Sequence, residues 1–157
     1  SKIWADMIRR EVKLGCIPYY MFVERDTGAK RYFELPLERA LDVYNGAFRD
    51  VSGLGRTMRG PSMSATPGKV QVLDIMQVNG EKVFAMRMLQ GRNADWTNRI
   101  FFAAYDPTAV WWDDLKPAPF DDGFFFDPEL NEMHLAAVAA ADAPVPVNLG
   151  RKEPSSA

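Results

Sequence analysis

Lys69 ends a run of small and turn-forming residues, Ser52-Gly53-Leu54-Gly55-Arg56-Thr57-Met58-Arg59-Gly60-Pro61-Ser62-Met63-Ser64-Ala65-Thr66-Pro67-Gly68-Lys69. Gly60, Pro61, Ser62, Ser64, Pro67 and Gly68 read as breakers of helix and strand, so the run is expected to be a loop with backbone N–H groups free to face an anion. A lysine fixed at the end of such a loop can capture a carbonyl carbon as an amine nucleophile. The ordinary case is a solvated surface lysine. Two features set this one apart: the apolar run Val70–Val78 follows at once, and Arg56 and Arg59 lie just upstream. A lysine with two guanidinium groups at the mouth of a core suits a phosphorylated aldehyde. Pairing of the two arginines with surface carboxylates is the equally weighted alternative.

Elements that would hold this loop can be read on either side of it. Trp4, Met7, Ile8 and Val12 recur at near-helical spacing over residues 3–14, and Gly15 supplies a stop. Residues 16–23 form a nearly continuous apolar run, as expected of a strand covered on both faces, with Pro18 confined to its start or to an edge. A charged turn around Gly28 leads to the clearest helix, residues 36–51, where Leu37, Ala40, Leu41, Tyr44, Phe48 and Val51 make one apolar stripe and Pro36 occupies the first turn.

Beyond Lys69 the pattern becomes antiparallel. Residues 70–78 and 82–89 flank Asn79-Gly80, a strong hairpin signal, and residues 99–105 offer a third strand. The order helix, strand, helix and loop resembles the last repeats of a β/α barrel. The expected fold is therefore α/β: residues 1–69 as the C-terminal part of a barrel, residues 70–135 as an antiparallel extension, and residues 136–157 as a flexible tail rich in alanine and proline. Trp111, Trp112 and Phe124 to Phe126 are expected to pack on the sheet, and in part to form a subunit contact that makes a homo-oligomer a candidate assembly. No internal repeat is present.

The chain has 157 residues, 47% of them hydrophobic and 25% charged, enough to build a core without metal or disulfides. A net charge of −2 gives no basic footprint for nucleic acid or a membrane surface. Without a bilayer-length apolar run or a signal-peptide layout, and with a single cysteine, Cys16, it reads as cytoplasmic. Ser1 stands almost inside the first helix, which reads as a chain cut from something longer, with a cloning remnant or removal of an initiator methionine as the alternative. The single histidine, His134, argues against a multi-histidine metal site or a triad with a distant histidine, and reads as a surface or capping residue. Asp113-Asp114 and Asp121-Asp122 are the candidates for a hard cation, although solvated loop carboxylates are commoner. Met86 and Met88 read as core fillers.

Ile17-Pro18-Tyr19-Tyr20-Met21-Phe22, the Gly28 turn, Tyr32-Phe33, Pro36, Ser52-Gly53 and Pro67-Gly68-Lys69, in this order and spacing, resemble the C-terminal part of the lysine 2,3-aminomutase family over about residues 3–90. The resemblance implies a radical S-adenosylmethionine, pyridoxal-phosphate-dependent enzyme that moves an amino group between adjacent carbons of a small-molecule amino acid. It further implies that Lys69 bonds pyridoxal phosphate covalently. Arg56 and Arg59 are then candidates to lie near the cofactor. Tyr19 and Tyr20, expected on opposite strand faces, cannot both line the cofactor pocket. Lysine-acting members place carboxylates at positions matching Arg25 and Ser62, so these two become candidate substrate-binding residues, and a cation at Arg25 disfavours a substrate with a terminal ammonium.

Two further departures bear on function. The family's iron–sulfur cluster needs three cysteines in a CxxxCxxC motif, and Cys16 alone cannot hold one. The family's glycine run before the lysine is here Ser64-Ala65-Thr66-Pro67-Gly68, with fewer positions free to adopt positive φ. The expectation is a fragment of an aminomutase-like enzyme that binds pyridoxal phosphate and is inactive by itself. A non-catalytic phosphate-binding or oligomerisation domain on the same scaffold is the alternative.

Overall fold

The computed structural model describes residues 1–25 and 29–141. Five strands form one open sheet in sequence order: β1 (Tyr20–Phe22), β2 (Arg59–Ala65), β3 (Gly68–Val78), β4 (Glu81–Gly91) and β5 (Ile100–Ala104). Helices α1 (Lys2–Lys13), α2 (Lys30–Phe33) and α3 (Leu37–Asp50) flank β1 in sequence, and α4 (Asp127–Ala141) follows the sheet. Only β1 and β2 run parallel; every later pairing is antiparallel. This overturns the partial barrel. A barrel end would continue as successive parallel strands, whereas a single crossover through α3 makes one parallel pair at the edge of an otherwise antiparallel sheet. Helix–strand–helix order is common to both arrangements, so sequence order could not separate them.

The helices form where apolar spacing requires them. In α1, Ala5 and Ile8 are buried while Ile3 and Met7 lie outside, and Gly15 ends the helix at a φ of 83°. In α3, Leu37, Ala40, Leu41 and Ala47 are buried, and Val51 turns extended. Ile8 of α1 joins Ala47, Val51, Met21 and Met58 in a small core between α1, α3 and the sheet. The Arg9 guanidinium donates to the Asp50 carbonyl, fastening α1 to the last turn of α3. A larger core runs from Leu37 and Leu41 through Met63, Val70, Phe84, Met86 and Met88 to the C-terminal aromatics.

The expected loop at residues 52–69 is mostly strand. A 3-10 turn at Gly53–Thr57 leads into β2, which contains both Gly60 and Pro61. They are tolerated because β2 is irregular there: Tyr20 pairs with Arg59 and Phe22 with Ser62, so the register slips across Gly60-Pro61, whose peptide is cis. A Cβ on Gly60 would come within 2.7 Å of the Met21 Cβ, so the close approach of β1 and β2 itself asks for glycine. β1 is shorter than the apolar run 16–23 suggested, and Tyr19 lies outside it.

The hairpin forms as expected, with Asn79 and Gly80 at φ of 51° and 85°. Beyond it, Phe101 of β5 makes edge-on contacts with Trp112, Phe124 and Phe126, the ring centroids 5.6 to 6.2 Å apart. The C-terminal aromatics thus pack within the chain. Glu129 of α4 accepts hydrogen bonds from the Trp96 indole at 3.0 Å and the Asn93 amide at 2.7 Å, tying α4 to the β4–β5 connection. Residues 136–141, expected in the tail, continue α4; a run of alanine has the highest intrinsic helix preference. Residues 142–157 of that expectation, and the Gly28 turn, lie outside the described residues. Among the described residues no helix is long and apolar enough to cross a membrane.

Leu37 is fully buried where α3 meets the larger core. Leu37→Ala is expected to lower unfolding free energy by about 2–5 kcal/mol. Urea unfolding followed by circular dichroism checks this, and a loss below about 1 kcal/mol would contradict the packing described.

Candidate cofactor-lysine site

Lys69 sits not on a loop but on the second residue of β3, held from both sides. On one side Thr66 and Pro67 form a two-residue turn, which sets Ala65 opposite Gly68 and Ser64 opposite Lys69. On the other, Lys69 pairs with Gln90 and Val70 with Met88, so β4 has one extra residue at this point. A bulge of this kind bends the strand and re-aims the side chains beside it. Gly68 has a φ of 143°, and a Cβ there would lie 2.1 Å from the Gln90 carbonyl oxygen. The one glycine kept next to the lysine is therefore the one that the backbone geometry demands.

The ammonium of Lys69 lies over two aromatic faces, with Nζ 4.5 Å from the Tyr20 ring centroid and 5.5 Å from that of Phe22. The two rings stack on each other at 5.0 Å. Arg59, the register partner of Tyr20, brings its guanidinium to 6.0 Å from the same ring and donates to the Tyr20 hydroxyl at 3.4 Å. Lys69, Tyr20, Phe22 and Arg59 form one cluster on β1, β2 and β3. Tyr19 joins it from the chain just before β1, its ring centroid 4.2 Å from that of Tyr20. Strict alternation across a strand does not apply to the pair because Tyr19 is not in the strand.

Electrostatics separate the two phenols. Burial pushes the Tyr20 hydroxyl upward, but hydrogen bonding from Arg59 and Tyr19 and the charge of Lys69 outweigh it and hold Tyr20 below its ordinary value of 10.0. The neighbouring Tyr20 hydroxyl, and the charge it carries when ionised, push Tyr19 the other way.

The remaining expected residues are distributed differently. Arg56 is engaged elsewhere: its Nε donates to the Val51 carbonyl at 2.7 Å, and its guanidinium lies 5.7 Å from the Phe48 ring centroid, at the end of α3. Ser62 is fully buried between β1 and β3, and its hydroxyl has no partner among the described residues. Its cross-strand neighbour Gln71 donates to the Gly60 carbonyl at 3.1 Å and accepts from Arg87 at 2.7 Å, forming a polar row through the sheet. Arg25 does reach the lysine side of the molecule. With Ser64, Gln90 and Arg92 it lines a cleft of about 440 Å³ that includes Lys69.

Arg92 carries no local sequence signal of its place at the cleft. Its backbone N–H donates to the Pro67 carbonyl at 3.0 Å and its Nε to the Thr66 carbonyl at 2.8 Å, so the β2–β3 turn holds the guanidinium at the cleft. The signal was available: folding the chain back about Asn79-Gly80 places Gln90 beside Lys69 and Arg92 beside Pro67. Among the described residues no group of three His, Cys, Asp or Glu side chains could hold a metal ion. Asp114 instead accepts from the Val110 and Trp111 N–H groups at 2.9 and 3.0 Å, closing a turn, while His134 lies on α4. Met86 and Met88 are core residues, as expected.

Over 103 residues, 64% of its length, the chain is 32% identical to a protein of Aquifex aeolicus (strain VF5) described as "Putative L-lysine 2,3-aminomutase". The similarity supports a lysine 2,3-aminomutase-like family for the chain at a distant level. It spans about a quarter of that relative's length, 26%. No family model matches the chain, and no solved structure matches it. The aminomutase resemblance read from the residues is thus supported at the level of distant kinship.

Two outcomes check the site geometry. Gly68→Ala should cost about 1–3 kcal/mol and shift the Lys69 amide resonance, since the backbone must leave the Gln90 carbonyl. An unchanged spectrum would contradict the close approach. In an ultraviolet titration of the phenols, Tyr20 should ionise first as pH rises. Its folded value lies below the unfolded one, so ionisation adds stability as pH climbs through that value toward 10.0. Tyr20→Phe should remove this earliest step and Arg59→Gln should move it upward; an early step that persists in Tyr20→Phe would refute the assignment.

Proposed function

We propose that this chain supplies the cofactor-lysine part of an amino-acid aminomutase, with Lys69 as the residue that bonds pyridoxal phosphate. The observation that carries the reading is the setting of Lys69: a primary amine over the Tyr20 and Phe22 rings, beside Arg59, in a chain with distant aminomutase kinship. These residues fit the cofactor by chemistry. An amine suits its aldehyde, aromatic faces suit its planar ring, and guanidinium suits its phosphate. When bound, pyridoxal phosphate supplies an aldehyde carbon that can hold an amino nitrogen during its transfer between neighbouring carbons.

The chain's own residues have separable tasks in this reading. Gly68 and the bulge opposite it fix where the Lys69 side chain leaves the sheet. Tyr20 and Phe22 shield one side of the amine, and Arg59 fixes the Tyr20 ring through its hydroxyl. Arg56, held at the end of α3, has no part in it. Arg25 stands where lysine-acting members carry a carboxylate and repels a terminal ammonium, so the substrate is an amino acid with a neutral or acidic side chain. A cluster bound by three cysteines does not fit these 157 residues, which include Cys16 alone. No step assigned here runs through one, and the radical and its S-adenosylmethionine source would come from polypeptide other than these residues.

Incubation with pyridoxal phosphate should produce visible absorbance that disappears when borohydride reduces the lysine–cofactor bond to a stable adduct, located on Lys69 by peptide mass spectrometry. Lys69→Ala should lose the adduct, and Tyr20→Ala should weaken binding by about tenfold. No adduct, or one that survives Lys69→Ala, would defeat the proposal and leave a phosphate-binding or assembly domain as the reading to pursue.

A further inference from the structure

The outer side of α1 and the open edge of the sheet form one apolar surface. Ile3, Met7, Arg10 and Leu14 follow one another at intervals of four, three and four residues, the spacing of a helical seam, opposite the buried Ala5 and Ile8. With Asp6 and Glu11 they line a hollow of about 410 Å³. A second hollow, of about 380 Å³, shares Met7 and Glu11 with the first and runs past Ile17 to Tyr19, Tyr20 and Phe22 at the edge strand. Ile3 is 85% exposed, Leu14 81%, Tyr19 66%, Ile17 65% and Phe22 54%. At these fractions the five side chains present roughly 700 Å² to solvent, near the about 800 Å² that each partner buries in a standard interface. A monomer seldom leaves so large an apolar patch uncovered.

The backbone of β1 points to the same face. The Arg59 N–H donates to the Tyr19 carbonyl and the Val23 N–H to the Ser62 carbonyl, both at the junction with β2. Across a planar trans peptide the C=O and N–H point in opposite directions. The N–H and C=O groups of Tyr20 and Phe22 are therefore directed away from β2, on the outer edge of the sheet. These four groups are complementary to themselves. In an antiparallel pairing about a twofold axis at Met21, Tyr20 exchanges both hydrogen bonds with Phe22 of the partner subunit, and Phe22 does the same with Tyr20 of the partner subunit. A pairing this short is too weak alone and needs apolar packing beside it.

The seam on α1 supplies that packing, and its charges agree with the same symmetry. Neither Arg10 nor Glu11 forms an ion pair with a described residue. The twofold axis runs α1 antiparallel to its copy. Setting Arg10 opposite the partner's Glu11 then sets Met7 opposite the partner's Leu14, so ion pairs and apolar contacts coincide in one register.

We propose that this surface takes a second copy of the chain, giving a twofold dimer in which β1 pairs with β1 and α1 packs on α1. Residues directly opposite in antiparallel strands share a face, so Phe22 of the partner subunit lies beside the Tyr20 ring that Lys69 covers. None of these contacts uses a cofactor, and the dimer stands independently of the functional reading above.

Sedimentation of the chain over a range of concentrations tests the assembly, and a monomer–dimer equilibrium is expected. Leu14→Asp, at an exposed position, should raise the dimer Kd by about tenfold or more. Arg10→Glu and Glu11→Arg should each weaken the dimer, and the two together should restore it, because the reversed charges still attract. Leu135→Asp, at an exposed position on α4, should leave it unchanged. Circular dichroism checks that each variant folds, and the charge variants repeat the test should Leu14→Asp fail to fold. The amide hydrogens of Tyr20 and Phe22 should exchange slowly in the dimer and quickly in monomeric Leu14→Asp. The proposal is overturned by a monomer at every concentration, or by a dimer indifferent to both Leu14→Asp and Arg10→Glu. It is equally overturned if the double charge variant fails to recover the dimer, or if the Tyr20 and Phe22 amides exchange as fast in the dimer as in the monomer.

Discussion

The β3–β4 ladder is the constraint on which the rest of this protein depends. It is the longest pairing in the molecule, and both the core and the candidate site are built on it. Its turn is set by positive φ at Asn79 and Gly80, a backbone choice that few other residue pairs make readily. Once that turn exists, Phe84, Met86 and Met88 must meet Val70 and Val72, and the larger core has its centre. At the far end the same ladder brings Gln90 to Lys69 and Arg92 to the β2–β3 turn. The interruption at Lys69, where β4 has an extra residue, bends the ladder and re-aims the side chains beside it.

The two edges of the sheet are managed differently. Beyond β5, the chain returns so that Ala103 bridges to Pro117 and the Ala104 N–H donates to the Lys116 carbonyl at 2.9 Å, which covers that edge. The rings of Trp112, Phe124 and Phe126 then close over Phe101. At the other side β1 is three residues long, and Ile17, Tyr19 and Phe22 stay exposed around it. A short edge strand presents few free backbone groups, which limits pairing with unrelated chains. The aromatic faces that receive the Lys69 ammonium therefore belong to the least covered part of the sheet.

Legibility in the sequence followed the range of the interactions. The spacing of Leu37, Ala40 and Leu41 marked α3, and Asn79-Gly80 marked the hairpin, because both signals lie within a few residues of one another. Gly60 and Pro61 misled in the opposite direction. Each opposes a regular strand when taken alone, yet both are accommodated where β2 slips its register against β1. The barrel expectation failed for a related reason: a parallel pair made through α3 looks the same in sequence whether the sheet continues parallel or turns antiparallel. Arg56 and Arg59 looked equivalent as cations three residues apart. Packing sent the first to the Val51 carbonyl and the second to the Tyr20 hydroxyl.

By itself the sequence determined the local matters: a lysine following Pro67-Gly68, a glycine beside it, two helices, a hairpin, and too few cysteines for a three-thiolate cluster. These depend on residue type and on neighbours a turn or a few residues away. Tertiary structure decided which side chains meet. Tyr20, Phe22, Arg59 and Lys69 come from three strands, and Arg25 and Arg92 from two further segments, so their proximity follows from strand order and register. No periodicity in a single stretch encodes register across a crossover, because a slip of one residue there changes the partners without changing the local pattern.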